Sequence, residues 1–151
     1  MVSMRKEIIT FSPEDTYSLG KSLGAKLRRG DVVAYFGGLG MGKTAFTAGI
    51  AEGMGLDCHV SSPTFAIVNV YDGSPKLCHF DMYRIDGWDD LCTTGFFEYL
   101  DDDSVLAVEW SENIENVLPE NTLFVTIKKG SNETERIFVF EGDERFEDIG
   151  C

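Results

Sequence analysis

A lysine and a threonine close the glycine-rich segment Gly37-Gly38-Leu39-Gly40-Met41-Gly42-Lys43-Thr44, which fills every fixed position of the phosphate-loop pattern G-x-x-x-x-G-K-[ST]. The chemistry of such a segment is the capture of a nucleotide's phosphates. Glycines accept positive φ, so successive backbone N–H groups can turn toward phosphate oxygens. In that cradle Gly38, Leu39, Gly40, Met41, Gly42 and Ala45 would contribute backbone. Lys43 would reach the β- and γ-phosphates, and the Thr44 hydroxyl would ligate Mg2+.

This chemistry needs a strand before the loop and a helix after it. The unbroken apolar run Val32–Phe36 supplies the first, and Ala45, Phe46, Ala48, Ile50, Ala51 and Met54 recur at the spacing of the second. The partial positive end of that helix, starting near Lys43, adds to the same anion site.

A second continuous apolar run, Val105–Val108, fits a central parallel strand and ends in Glu109, next to Trp110. A carboxylate at the C-terminal end of a buried strand lies where open α/β sheets bind ligands. Glu109 is therefore the candidate acid beside Mg2+ or the attacking water. Asp81 ends another strand, Lys76–Met82, but that run is mixed and is expected to pair with Phe65–Tyr71 in a hairpin nearer an edge. Asp81 is accordingly expected in a switch or supporting role. The loop Ser62-Pro63-Thr64, one element beyond the phosphate loop, sits where nucleotide hydrolases often keep a γ-phosphate sensor, though Ser-Pro-Thr is also ordinary turn chemistry.

The remaining elements frame this site. Lys6–Phe11 reads as a strand, and Ser12-Pro13-Glu14-Asp15 as a helix start with an N-cap, a first-turn proline and two carboxylates. The spacing predicts a helix from Pro13 to Arg29, closed by Gly30. Its N-terminal end is expected near the nucleotide, which makes Ser12 and Thr16 candidates for base or ribose contact, with capping the competing job for Ser12. Helices are expected over 88–100 and 112–118, and a second hairpin over 122–128 and 135–140. Lys128, Lys129 and Arg136 form a small basic group on that hairpin, from which Arg136 could reach the nucleotide. Residues 1–140 read as one domain, and 141–151 (EGDERFEDIGC) as a frayed acidic tail.

Composition narrows the function classes. The 151 residues carry a net charge of -13, and between Asp81 and Glu120 the carboxylates face a single base, Arg84. Such a field opposes direct tight binding of any nucleic acid. It fits equally a solvated face and a docking surface for a basic protein. No apolar stretch is long enough to span a membrane, and the N-terminus has no signal-peptide core, so a cytoplasmic protein is expected. The four cysteines fit no zinc pattern. Cys58-His59 and Cys78-His79 could supply four ligands, but adjacent residues on a strand point to opposite faces.

With those residues in view, the chain resembles the TsaE family of bacterial ATPases, which serve threonylcarbamoyl-adenosine (t6A) modification of tRNA. The resemblance runs from Ser12 to about Phe140 through GGLGMGKT (37–44), SSPTFAIVNVY (61–71), HFDMYR (79–84), GFFEYL (95–100) and VLAVEWSE (105–112). It implies an α/β fold: a single P-loop NTPase domain, with a parallel central sheet, antiparallel edge strands and flanking helices. It also implies ATP and Mg2+ as cofactors, weak intrinsic hydrolysis, and action with TsaB and TsaD proteins. On this resemblance Lys43 and Thr44 match the phosphate and magnesium residues, and Glu109 the second magnesium-side or water-orienting acid. Thr64 and Asp81 match switch-like loops, and Trp110 lies beside the site. Three positions depart from the family pattern: Gly38 where an acid is common, Ser111 where proline is common, and Phe97 where a further Glu is common. None removes a group that phosphate binding needs.

Other P-loop classes fit less well. A small-molecule kinase needs basic residues on a lid, yet only Lys76 and Arg84 carry fixed positive charge between Ala45 and Ile127. A guanine-specific N-K-x-D segment is missing, which leaves ATP as the expected nucleotide. A nucleotide-dependent interaction module without hydrolysis stays open beside a partner-stimulated ATPase.

Overall fold

The computed structural model describes residues 4–37, 42–56, 60, 68–73, 75–82, 92, 95–100, 104–109 and 118–149. Chain order runs β1 (Met4–Thr10), α1 (Pro13–Gly24), β2 (Val32–Phe36), α2 (Lys43–Gly53), β3 (Val68–Tyr71), β4 (Leu77–Asp81), α3 (Phe96–Leu100), β5 (Val105–Glu109), β6 (Leu123–Lys129), β7 (Arg136–Gly142) and a 3-10 turn at Glu144–Phe146. The strands form one seven-stranded sheet in the order β1-β7-β6-β2-β5-β4-β3. Its centre is parallel: β2 lies between β5 and β6, and β5 also pairs with β4. Antiparallel strands finish both sides, β3 on β4 and the β7-β1 pair on β6. This is the expected α/β P-loop architecture. Both hairpins stand where the turn residues put them. Among the described residues no helix is long and apolar enough to cross a membrane.

Alternation along the central strands separates two cores. Val33, Tyr35, Leu77, Val105 and Ala107 pack with Leu19, Leu23, Phe46 and Ile50 under α1 and α2. Val32, Ala34, Cys78, Phe80, Leu106 and Val108 face the other way, around Phe96 of α3. Strands buried on both faces read as unbroken apolar runs, which is why β2 and β5 were so plain in the sequence.

Helix α1 starts as expected, with the Ser12 side chain accepting from the Asp15 N–H at 3.1 Å and the Asp15 carboxylate accepting from the Phe11 N–H at 3.0 Å. It ends at Gly24, five residues before the expected Arg29. An Asp31 carboxylate oxygen accepts from the Arg28 N–H at 2.7 Å, a local turn that competes with further helix. The α1–α2 crossing is unusually close. Gly20 and Gly24 of α1 meet Gly49 and Gly53 of α2, and a Cβ on any of the four would overlap a backbone carbonyl oxygen of the opposite helix: Phe46, Ile50, Tyr17 and Lys21 respectively. In each helix the two glycines are four residues apart and share one face. Gly53, the last residue of α2, is thus a packing residue.

The expected frayed tail is corrected. β7 runs on to Gly142, and beyond it Phe146 and Ile149 are buried in the α1–α2 core. The Lys6 ammonium donates to the carbonyls of Glu147 (2.6 Å) and Ile149 (2.9 Å), while the Arg145 guanidinium pairs with Asp31 at 2.5 Å. Two apolar residues three apart make a single-turn anchor, too short to register as a periodic pattern among so many carboxylates. The expected helix over 88–100 is described only at Cys92 and from Gly95 on, with α3 at Phe96–Leu100, and that over 112–118 lies outside the described residues but for Leu118.

Candidate functional site

Three parallel strands end together at one edge of the sheet. Tyr35 of β2 stands opposite Glu109 of β5, and Glu109 opposite Asp81 of β4. Cross-strand partners share a face, so all three side chains emerge on the α2 side. Here α2 begins at Lys43 behind Gly42, whose φ of 88° is the left-handed turn the glycine permits. The first ladder bond of α2 runs from the Phe46 N–H to the Gly42 carbonyl, so the amides of Lys43, Thr44 and Ala45 precede the ladder. Gly42 offers no side-chain cap to the helix. A helix start of this kind favours an anion.

Lys43 and Glu109 meet at this edge. The Lys43 ammonium donates to the Gly37 carbonyl at 2.9 Å and lies 3.4 Å from Glu109 Oε1. The other carboxylate oxygen, Oε2, is 2.7 Å from Nε2 of the fully buried His79. Burial pushes the Glu109 carboxyl up, but the hydrogen bond and charge of His79, together with Lys43, outweigh it and hold the group below its ordinary value. The acid, itself only 6% exposed, is thus kept ionised.

The first turn of α2 is pinned from beneath. Thr47 donates to the Lys43 carbonyl at 2.9 Å, so the hydrogen bond between the Tyr35 and Thr47 hydroxyls has Tyr35 as its donor. Burial, then the Glu109 charge, push the Tyr35 phenol well above its usual pKa, which keeps it a donor. The Tyr35 ring also stacks on His79, with centroids 6.4 Å apart.

The other sequence candidates divide as follows. Thr44 is exposed on the first turn of α2, where its hydroxyl and the Glu109 carboxylate offer the hard oxygen donors that Mg2+ prefers. Asp81 is half-buried beside Glu109. Thr16, Gly42 and Arg136 are brought together, lining with Pro13, Glu133 and Thr134 a recess of about 130 Å³. Thr16 hydrogen-bonds Thr10 at 2.9 Å, and Arg136 donates to the carbonyls of Glu133 and Glu135. Ser12 uses its hydroxyl as the α1 cap. Gly38, Leu39, Gly40, Met41, Thr64 and Trp110 lie outside the described residues.

Sequence reasoning missed His79, Tyr35 and Thr47. In sequence His79 stands out as one half of a Cys-His pair and as the first residue of HFDMYR, neither of which gives it a role beside Glu109. Alternation puts 77, 79 and 81 on one face of β4, but only the β4–β5 register shows that Glu109 shares that face.

Comparison with known proteins identifies the family. The family described as "Threonylcarbamoyl adenosine biosynthesis protein TsaE" matches residues 10–138. The tRNA threonylcarbamoyladenosine biosynthesis protein TsaE of Bacillus subtilis is 41% identical over 136 residues, covering 89% of this chain and 85% of the relative. That of Treponema pallidum is 35% identical over 120 residues, covering 80% and 89%. The crystal structure of Bacillus subtilis YdiB superposes with a TM-score of 0.80 at 36% identity, covering 99% of this chain and 93% of that one. By sequence and by fold, the chain belongs to the TsaE family of threonylcarbamoyl adenosine biosynthesis proteins.

Proposed function

We propose that this chain binds ATP with Mg2+ and hydrolyses it slowly alone and faster with TsaB-like and TsaD-like proteins, powering turnover of t6A modification in the cytoplasm. The observation that carries this reading is the buried Glu109 carboxylate at a strand end, in contact with the phosphate-loop lysine and with His79. Lys43 and the amides at the start of α2 would hold the phosphates. Thr44 and Glu109 would hold Mg2+, which supplies charge neutralisation between the phosphate oxygens. Gly38, Leu39, Gly40 and Met41 complete the loop in this reading, Thr64 and Asp81 respond to the γ-phosphate, and Trp110 reports on the site.

In this reading the nucleoside end would enter the recess between Thr16, Gly42 and Arg136, beside α1. Specificity should favour ATP over GTP, and the acidic chain should leave tRNA contact to its partners. The deciding experiment measures phosphate release with ATP and GTP, each with and without the partner pair. Stimulated release with ATP alone supports the proposal. Tight ATP binding with no release under any condition would leave a nucleotide-dependent interaction module in its place.

A further inference from the structure

We propose that His79 is a positioning residue whose Nε2–H holds Glu109 Oε2, fixing the carboxylate so that Oε1 faces the phosphate-loop lysine. The inference rests on Glu109 being the hydrolytic acid, as argued above. It starts from placement. His79 pairs with Ala107 across the parallel β4–β5 ladder, so Glu109 is its diagonal neighbour on the same face. Ala107 is small enough to leave the imidazole room between the strands and the Tyr35 ring.

The chemistry fixes the direction of the bond. An ionised carboxylate only accepts, so the proton between Nε2 and Oε2 at 2.7 Å belongs to the ring. The far nitrogen, Nδ1, is buried and has no hydrogen-bond partner among the described residues. An unpaired buried polar atom costs about 1–3 kcal/mol, and an apolar side chain at 79 would fill the same core without that cost. The compensating interaction visible for the imidazole is its bond to Glu109.

That bond matters because the two oxygens of Glu109 have partners of different accessibility. Lys43, on Oε1, belongs to the loop that phosphates would engage, and its ammonium can turn toward them. His79 is 0% exposed, beyond the reach of any phosphate, so its hold on Oε2 persists when Lys43 is drawn away. Removing a group that orients a working ligand typically lowers activity about 10- to 100-fold.

The test uses the full chain, with His79→Leu and His79→Gln. The glutamine amide nitrogen can stand where Nε2 stands, and leucine cannot donate. His79→Leu should keep ATP·Mg2+ affinity by calorimetry within a fewfold, while partner-stimulated kcat falls about 10- to 100-fold. His79→Gln should recover most of that loss. An unchanged kcat in His79→Leu, or a cooperatively folding His79→Gln as slow as His79→Leu, overturns the proposal.

A second readout is independent of turnover and of whether His79→Leu folds. The chain has two histidines, His59 and His79, so 15N-histidine spectra with His59→Gln as the assignment control resolve the ring of His79. Nε2 should carry a proton, and its signal should move in Glu109→Gln. An unprotonated Nε2, or a signal indifferent to Glu109→Gln, overturns the proposal. Full turnover in Glu109→Gln would instead defeat the assignment of Glu109 itself, and the spectra would still judge the pair.

Discussion

Lys43 Nζ lies 3.4 Å from Glu109 Oε1, with both side chains almost wholly buried, so the phosphate-loop cation and the strand-end acid form one charge pair. An incoming phosphate must therefore compete with Glu109 for the ammonium. Truncating one member of a buried charged pair at an interface costs about 2–5 kcal/mol, roughly 30- to several-thousand-fold in affinity. Lys43→Ala is expected to lose ATP binding by at least the lower figure. Calorimetry giving Lys43→Ala a wild-type affinity would contradict the phosphate assignment.

The two carboxylates at the strand ends should separate by function. Glu109 is 6% exposed and touches Lys43 and His79, whereas Asp81 is half-buried at the neighbouring strand end. Phosphoryl transfer depends on positioning and charge, so Glu109→Gln should keep most ATP affinity and lose most hydrolysis. Asp81→Asn should retain more turnover. Partner-stimulated phosphate release run on both variants decides the matter, and collapse in Asp81→Asn with near-normal rates in Glu109→Gln would exchange the roles.

Acid should weaken the fold through Glu109. Burial raises its pKa, but His79 and Lys43 win, and the folded-state value lies below the ordinary one. A carboxyl lowered on folding contributes stability that is fully present above its unfolded pKa and lost as pH falls through the folded value. Urea midpoints of wild type and Glu109→Gln should therefore differ most near neutrality and converge as pH drops below the carboxylate range. A gap that stays constant into that range would mean that packing, not charge, separates the two proteins.

Much of this site was legible in the sequence because its signals are local. Gly37 to Thr44 is contiguous, and β2 and β5 announce themselves as apolar runs buried on both faces. The residues that were not legible depend on register or on approach between distant segments. His79 gains its meaning from a ladder offset to Glu109 thirty residues away. The close seat of Gly20, Gly24, Gly49 and Gly53 appears only when two helices are laid together. Phe146 and Ile149 were hidden by the charges around them.

The C-terminal segment should be needed for stability. Phe146 and Ile149 are 1% and 0% exposed, and Lys6 and Arg145 tie the segment to β1 and to Asp31. Phe146→Ala should cost about 3–5 kcal/mol and Ile149→Ala about 2–5. Deleting 143–151 should cost at least as much as either. Urea unfolding of the deletion variant at the wild-type midpoint would restore the view of a dispensable tail.

The glycine crossing makes the sharpest structural prediction, because helix propensity and packing pull in opposite directions. Alanine in place of a mid-helix glycine normally favours the helix by about 1 kcal/mol. At Gly49 the added methyl would overlap the Tyr17 carbonyl and crowd the Lys21 amide, both backbone groups that cannot rotate aside. The helices must separate, and overpacking of this kind costs about 1–3 kcal/mol or more. Gly49→Ala should therefore lower Tm by roughly 2–4 °C per kcal/mol lost, the slope expected for a domain of this size. Ser18→Ala, on the exposed side of α1, should hold or raise Tm and serves as the control. The same separation should reach the site, since the Thr16 methyl lies against Gly42 where the phosphate loop enters α2. Gly49→Ala is thus expected to weaken ATP binding as well as the fold, measured by calorimetry well below its own Tm. A Gly49→Ala protein as stable as Ser18→Ala would mean that the close approach of α1 and α2 does not hold in solution.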